Sequence, residues 1–158
     1  MKDNRSLIIK RVSRWMAPFI FLYGVYIALY GHLSPGGGFP GGVVIAAAFI
    51  LILLARGKNA ALDKLPYAVA KELDAVGALL FLVMAFLGMG LTGIFFANFL
   101  QEMIPGQPHE WFSGGTIIIN NVAIAMKVAG AIFLVLFFLS ALRISGEGQV
   151  GFKSLEEK

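Results

Sequence analysis

The sequence predicts an all-α integral membrane protein with four transmembrane helices. Of its 158 residues, 58% are hydrophobic and only 14% are charged, whereas soluble domains carry about 25% charged residues and at most about 50% apolar ones. The apolar residues also fall into long uninterrupted stretches, which are typical of membrane spans rather than of one soluble core. We expect one membrane domain over residues 1–158, without an internal repeat or a soluble domain.

The first element is predicted from residues 3–15, where basic and aliphatic side chains are mixed. This pattern is typical of a short amphipathic helix at the membrane surface, and it leads directly into the first apolar stretch. Crossing the hydrocarbon core takes roughly 20 residues. On that basis the four spans are predicted at about 16–33, 41–55, 75–99 and 117–142.

The loop after the second span has apolar positions at helical spacing, broken by Pro66. The apolar spacing predicts a short interfacial helix over 61–74, although a proline interrupts a helix interior. That arrangement would place Glu72 and Asp74 at the mouth of the third span.

The orientation is predicted from the Lys and Arg residues. All but one of the 13 lie in the N-terminal segment, the second loop or the C-terminal tail, and the first and third loops have none. Cytoplasmic loops of membrane proteins are enriched in Lys and Arg. We therefore expect a multi-pass protein of the plasma membrane with both termini in the cytoplasm.

The composition also argues against several functions. The chain has no cysteine, so it offers no thiolate ligands for zinc or iron–sulfur clusters. Its basic residues flank apolar segments instead of forming the basic face of a nucleic-acid-binding domain. No nucleophile–base pair or metal cluster is evident in the sequence. We expect no cofactor, no metal, no nucleic-acid partner and no enzymatic activity of the chain on its own.

Lys127 is the one basic residue inside a predicted span, and a charge there is costly. Counted from Val122, it lies only about 8 Å below the outer end of its helix, so its stem could extend outward to the membrane surface. The alternative is that it lies on a face of polar and small residues that contacts another helix: Asn120, Ala123, Lys127 and Gly130. Such a buried lysine would be a candidate proton carrier or gating charge. We expect no acid beside it.

Residues 31–42 are too rich in glycine to form a plain helix. The segment combines proline-fixed turns with a run of glycines: Gly31, Pro35, Gly36, Gly37, Gly38, Gly41 and Gly42. One interpretation is a tight hairpin between two closely packed helices. The other is a polar vestibule in which backbone amides and the start of the second helix are open, with His32 at its edge.

These features resemble the MnhB/MrpB family, the B-type subunits of the multisubunit Na⁺/H⁺ antiporters. The resemblance depends on the glycine–histidine loop, on Asp74-Ala75-Val76-Gly77 at the start of the third span, and on Asn120, Asn121 and Lys127 in the fourth. It covers about residues 8–145. Family members often have Gln where this chain has Pro40, which removes a side-chain amide from the loop.

The resemblance implies a small membrane subunit that works next to larger antiporter-type subunits, with Na⁺ and H⁺ as the transported ions. The same module is built into archaeal membrane-bound hydrogenases and sulfur-reducing complexes. The leading hypothesis is a subunit that contributes to ion translocation, with these candidate residues: Lys127, His32, Asn120, Asn121, Glu72 and Asp74. The competing hypothesis is a structural subunit that docks the larger subunits and moves no ion.

Overall fold

The computed structural model describes residues 6–33, 36–103, 113–144 and 150–152. Its elements are α1 (Leu7–Leu29), α2 (Gly38–Arg56), α3 (Lys58–Leu62), α4 (Tyr67–Thr92), α5 (Phe99–Met103), α6 (Thr116–Ala141), β1 (Leu142–Ile144) and β2 (Val150–Phe152). Within these ranges, α1, α2, α4 and α6 are long and apolar enough to cross a membrane. The prediction of a helical protein with four membrane spans is confirmed.

The N-terminal amphipathic segment is helical from Leu7 and continues into the first span without a break. Ser6 caps this helix, since its hydroxyl accepts a hydrogen bond from the Ile8 amide at 3.3 Å. The helix ends at Leu29, slightly before the predicted end of the first span, and residues 30–33 form turns. Residues 3–5 lie outside the described part of the chain.

The expectation of a separate interfacial helix over 61–74 is wrong. The short helix α3 ends at Leu62, and α4 begins at Tyr67 directly after Pro66. Proline is tolerated at a helix start because the amides there have no intrahelical acceptor. Pro66 therefore begins the third span instead of interrupting an earlier helix, and Glu72 and Asp74 lie inside α4.

The four long helices form a bundle in which α2 and α6 are central and parallel. Gly38 lies against Asn121, Gly42 against Ala125, and the rings of Phe49 and Phe133 are 6.1 Å apart. The outer helices are antiparallel to their neighbours. Helix α1 packs on α2 through Ala28 with Gly41 and Phe21 with Phe49, and α4 packs on α6 through Gly77 with Ala123 and Tyr67 with Phe138.

The interior of the bundle is built mainly from small residues, with aromatic residues near α3. A buried cluster joins α2, α3, α4 and α6 there: Leu53, Ala61, Leu65, Ala70, Phe133 and Phe137. Many large apolar side chains on the outside are exposed instead, such as Phe19, Leu54 and Leu79. An apolar exterior around a tightly packed interior of small residues is typical of helices in a bilayer.

This topology gives the bundle two different ends. We call the end that holds Arg14, Arg56 and Lys64 the basic end, since these three residues line one cleft. The opposite end holds the Gly36–Gly38 turn together with Asn121 and Gly114, and we call it the glycine end.

Candidate functional site

The centre of the candidate site is an ion pair between α4 and α6. The ammonium Nζ of Lys127 donates a hydrogen bond to Oδ1 of Asp74 at 2.9 Å. Both side chains are partly open at the bundle surface, with exposed fractions of 49% for Lys127 and 38% for Asp74. The pair is thus formed within this chain, while the described residues leave one side of it uncovered.

The ion pair corrects the expectation that Lys127 has no acid beside it. Because α4 begins at Tyr67, Asp74 lies about 10 Å along the helix axis from its start, and Lys127 lies about 16 Å from the start of α6. Each helix has 26 residues and measures about 39 Å, which is longer than the roughly 30 Å of a hydrocarbon core. Asp74 lies two residues after the exposed Glu72 in the charged start of α4, and Lys127 lies nearer the middle of α6.

The helices approach closely on both sides of the ion pair. A side-chain carbon at Gly77 would lie 2.6 Å from the Lys127 amide nitrogen, and one at Gly130 would lie 2.5 Å from the Ala70 carbonyl oxygen. No larger residue fits at either glycine without moving a backbone. The backbone of the face formed by Ala123, Lys127 and Gly130 therefore contacts α4, while the Lys127 side chain itself stays half exposed at the edge of that contact.

Asn120 extends the polar character of this contact toward the glycine end. It lies two helical turns before Lys127, so it is on the same side of α6. Its side-chain oxygen Oδ1 is buried and has no hydrogen-bond partner among the described residues. Glu72 does not join this group: it is exposed on α4 and lies about 200° around the helix from Asp74.

At the glycine end the chain reverses between α1 and α2. Gly36 and Gly37 have φ values of 125° and 63°, a region that residues with a side chain rarely occupy. Pro40, which was expected to fix a turn, lies in the first turn of α2, where proline is tolerated. Gly41 and Gly42 likewise belong to α2. Ser34 and Pro35 lie outside the described residues.

Asn121 joins the reversal to α6. Its Oδ1 accepts a hydrogen bond from the Gly38 amide at 3.2 Å, and the residue is only 8% exposed. A side chain on Gly38 would overlap the Asn121 carbonyl, so only glycine allows this approach. The start of α2 is thus capped by α6, and the Gly38 amide does not open into a vestibule. The Nδ2 atom of Asn121 is buried without a partner among the described residues.

His32 lies at the same end and is partly buried. Its ring packs on Gly114, where an added side-chain carbon would come within 2.9 Å of the imidazole. His32 and Asn121 therefore share the glycine end with Asn120, while Lys127 and Asp74 lie deeper in the bundle. The structure brings the candidate residues together as two groups and leaves Glu72 apart.

Asn98 was not singled out from the sequence, where it falls at the predicted end of the third span. Its Oδ1 accepts hydrogen bonds from both the amide and the hydroxyl of Thr116, each at 2.8 Å, and its Nδ2 donates to the Gly114 carbonyl at 3.1 Å. It therefore caps α6 from outside the helix. The only signal was an asparagine beside an aromatic run, which does not identify a partner in the chain.

Within the ranges that the structure describes, no group of three or more His, Cys, Asp or Glu side chains could hold a metal ion. The polar groups of the site are a lysine paired with a carboxylate, and amides further along the bundle. The carboxylate and amide oxygens can coordinate a monovalent cation weakly, whereas the lysine ammonium only donates and can compete with such a cation.

Comparison with known proteins gives one family match and several similar chains. A family model described as a domain related to the MnhB subunit of Na⁺/H⁺ antiporters matches residues 8–134. The antiporter subunit mnhB2 of Staphylococcus aureus strain Newman is 31% identical over 146 residues, which cover 90% of this chain and 99% of that protein.

Two archaeal similarities involve longer proteins. An uncharacterized protein of Methanocaldococcus jannaschii is 35% identical over 141 residues, covering 87% of this chain and 53% of that protein, so the chain spans about half its length. A chain of the membrane-bound sulfane sulfur reductase, an archaeal respiratory membrane complex, superposes with a TM-score of 0.71 at 30% identity, covering 85% of this chain and 58% of the other.

The family model matches most of the chain, and the staphylococcal antiporter subunit is similar over nearly its whole length. The four-helix bundle is also shared with a chain of a respiratory membrane complex. The chain therefore belongs to the MnhB family of multi-pass membrane subunits.

Proposed function

We propose that this chain is a small subunit of a multisubunit Na⁺/H⁺ antiporter module and that it contributes to moving cations or protons. The observation that carries the proposal is the Lys127–Asp74 ion pair, whose side chains stay 49% and 38% exposed on the outside of the helix bundle. A charge facing hydrocarbon is costly. The open side of the pair therefore requires a neighbouring subunit or a water-filled path.

The chemistry of the pair suits ion exchange. The Asp74 carboxylate accepts from one ammonium group and has further oxygen lone pairs. A Na⁺ ion or a proton arriving from the open side can compete with Lys127 for those oxygens, and the lysine then moves away or shares a proton. Asn120 presents an unpartnered buried oxygen two turns further along the same face, followed by Asn121 and His32 at the glycine end.

One chain does not complete such a path, because the described polar groups line only one side of it. We infer larger antiporter-type subunits as partners, in a free-standing exchanger or in a respiratory complex of the hydrogenase or sulfur-reducing type. The staphylococcal and archaeal similarities support both settings. In this proposal the complex lies in the plasma membrane with both termini of the chain in the cytoplasm, and the chain has no catalytic activity on its own.

The test is Na⁺/H⁺ exchange by the assembled complex in membrane vesicles. Lys127→Ala is expected to remove most of the exchange while the complex still assembles, and Lys127→Arg is expected to retain part of it because the positive charge remains. The matched control is Lys71→Ala, which removes an exposed lysine of α4. Full exchange by a normally assembled Lys127→Ala complex would show that the pair is not on the ion path.

A purely structural role is the second candidate, and the close helix contacts at Gly77 and Gly130 favour it. In this case the ion pair only holds α4 against α6. The charge exchange Asp74→Lys with Lys127→Asp separates the two roles. If the pair is only structural, the double variant should restore both assembly and transport. If the pair takes part in translocation, the double variant should restore assembly but leave transport impaired.

A further inference from the structure

The basic end carries a cleft between α1 and α2 that the ion path does not use. Three cationic side chains from three different elements converge on it: Arg14 of α1, Arg56 of α2 and Lys64 of the α3–α4 connection. None of the three forms an ion pair with another residue in the described part of the chain.

The three cations lie at the junction of two spaces of opposite character. On one side is a cleft of about 370 Å³ whose walls beyond the cations are apolar: Ala17, Pro18, Phe21, Ala48, Phe49 and Ile52. On the other side is a polar cleft of about 340 Å³, lined by the same three cations with Ala60 and Asp63. The two clefts share these three cations, and we call them together the groove. Its walls are apolar on one side of the cations and polar on the other.

Pro18 lies in α1 at the level of this groove. A proline inside a helix has no amide hydrogen to donate to the carbonyl four residues earlier, which here belongs to Arg14. Its neighbour Ala17 and the facing Ala48 are buried small residues. The two helices thus leave space one to two turns below Arg14 and Arg56.

We propose that this groove is a binding site for an anionic phospholipid. An acyl chain fits the apolar cleft, the phosphate lies among Arg14, Arg56 and Lys64, and the polar headgroup occupies the outer cleft. Basic pockets between membrane helices are known to hold anionic headgroups, and arginine suits phosphate because it can donate two parallel hydrogen bonds.

Asp63 selects among anionic headgroups. With three cations and one carboxylate, the polar cleft retains two net positive charges, which is enough for one phosphate. The carboxylate can accept hydrogen bonds from hydroxyl groups, while it would repel a headgroup with a further negative charge. These features favour a headgroup with a single phosphate and free hydroxyls, as in phosphatidylglycerol.

The experiment uses the full chain in nanodiscs of phosphatidylcholine, with and without phosphatidylglycerol. Native mass spectrometry after extraction reports retained lipid, and the thermal unfolding midpoint reports stabilisation. We expect phosphatidylglycerol to be retained selectively and to raise the midpoint. Arg14→Gln and Arg56→Gln should each weaken retention about fivefold, since one cation near an anionic surface contributes roughly that factor.

Three comparisons can overturn the proposal. Lys71→Gln removes an exposed basic residue outside the groove, and an equal loss of lipid in this control would reduce the effect to general surface charge. Equal stabilisation by inorganic phosphate in phosphatidylcholine discs would mean a plain anion site without a lipid chain. Arg56→Lys keeps the positive charge and should retain most of the phosphatidylglycerol. If a well-folded Arg56→Gln variant bound phosphatidylglycerol as wild type does, the site would be refuted.

Discussion

Lys127 and Asp74 are 53 positions apart in the chain, yet their Nζ and Oδ1 atoms lie 2.9 Å apart across the contact between α4 and α6. The two helices can hold these side chains together because Gly77 and Gly130 let the backbones approach on either side. The close contact at the two glycines and the ion pair thus lie in the same short stretch of α4 and α6, and the first allows the second to form.

The first prediction concerns the coupling of these two charges. Asp74→Asn or Lys127→Gln alone should lower the stability of the folded chain, because each leaves the other charge of the α4–α6 contact without its partner. The double variant should be less destabilised than the sum of the two. The expected coupling is about 0.6 kcal/mol, the average for hydrogen bonds between membrane helices, and at most about 1.7 kcal/mol. Reversible unfolding in bicelles gives all four stabilities of the cycle.

The matched control for this cycle is Glu72→Gln, which removes an exposed acid from the same helix. It should change stability little, alone or combined with Lys127→Gln. If Asp74→Asn and Lys127→Gln were simply additive, the hydrogen bond between them would contribute nothing measurable.

The second prediction concerns the close approach of α4 and α6. Gly77→Ala should destabilise the fold by about 1–3 kcal/mol, the usual range for overpacking, because the added carbon would lie 2.6 Å from the Ala123 carbonyl oxygen. Gly90→Ala is the control on the same helix: nothing lies within 4 Å of the added carbon, and alanine favours a helix by about 1 kcal/mol over glycine. Equal unfolding midpoints for the two variants would contradict the close contact.

The contrast between Lys127 and Asp74 shows what the sequence could predict. Long apolar runs predicted the four spans, and the spacing of Asn120, Ala123, Lys127 and Gly130 predicted a face that contacts another helix. Asp74 was placed at the mouth of the third span and counted among the candidate ion-path residues, but no acid was expected beside Lys127. Because α4 begins at Tyr67, Asp74 lies in the same helix as Gly77, and the contact of this helix with α6 brings it to Lys127.

The glycine end shows the limit of the same reasoning. A glycine-rich run predicts an unusual turn, and the positive φ of Gly36 and Gly37 agrees with that. The run does not say which helix supplies the cap, because this depends on how α2 and α6 pack. Asn121 and Asn98 both act across long sequence separations, and a single sequence contains no signal that pairs them with Gly38 and Thr116.

The third prediction concerns Asn121. Asn121→Leu should destabilise the fold by about 1–3 kcal/mol, because the buried Gly38 amide loses its acceptor and stays unsatisfied. The control is Asn59→Ala, which changes an exposed asparagine of α3 and should change stability by less than about 0.5 kcal/mol. Thermal unfolding of the two variants checks this, and hydrogen exchange should be faster at the Gly38 amide in Asn121→Leu alone.

The fourth prediction concerns orientation in the membrane. The chain has no cysteine, so single cysteines can be placed at exposed positions of each end, Leu33→Cys at the glycine end and Asn59→Cys near the basic end. A membrane-impermeant thiol reagent should label Leu33→Cys in intact cells and Asn59→Cys only after permeabilisation, because basic ends face the cytoplasm. The reverse labelling pattern would contradict the predicted cytoplasmic termini.

The fifth prediction concerns Asn98, which holds the start of α6 at the glycine end. Asn98→Ala removes the hydrogen bonds from the amide and hydroxyl of Thr116 and the one to Gly114. Loss of a helix cap usually costs about 0.5–2 kcal/mol. Hydrogen exchange at the Thr116 amide should therefore accelerate about 2- to 30-fold, the kinetic equivalent of that range.

Two further variants separate capping from general loop damage. Asn98→Asp keeps an oxygen acceptor for Thr116 and loses the donor to Gly114, so protection of the Thr116 amide should lie between wild type and Asn98→Ala. Gln101→Ala removes only the exposed contact with Asn98 Nδ2 and should leave that amide protected. If all three variants exposed the Thr116 amide equally, Asn98 would act through the loop as a whole. Selective loss in Asn98→Ala would instead identify one side chain that orders the helix carrying Asn120, Asn121 and Lys127.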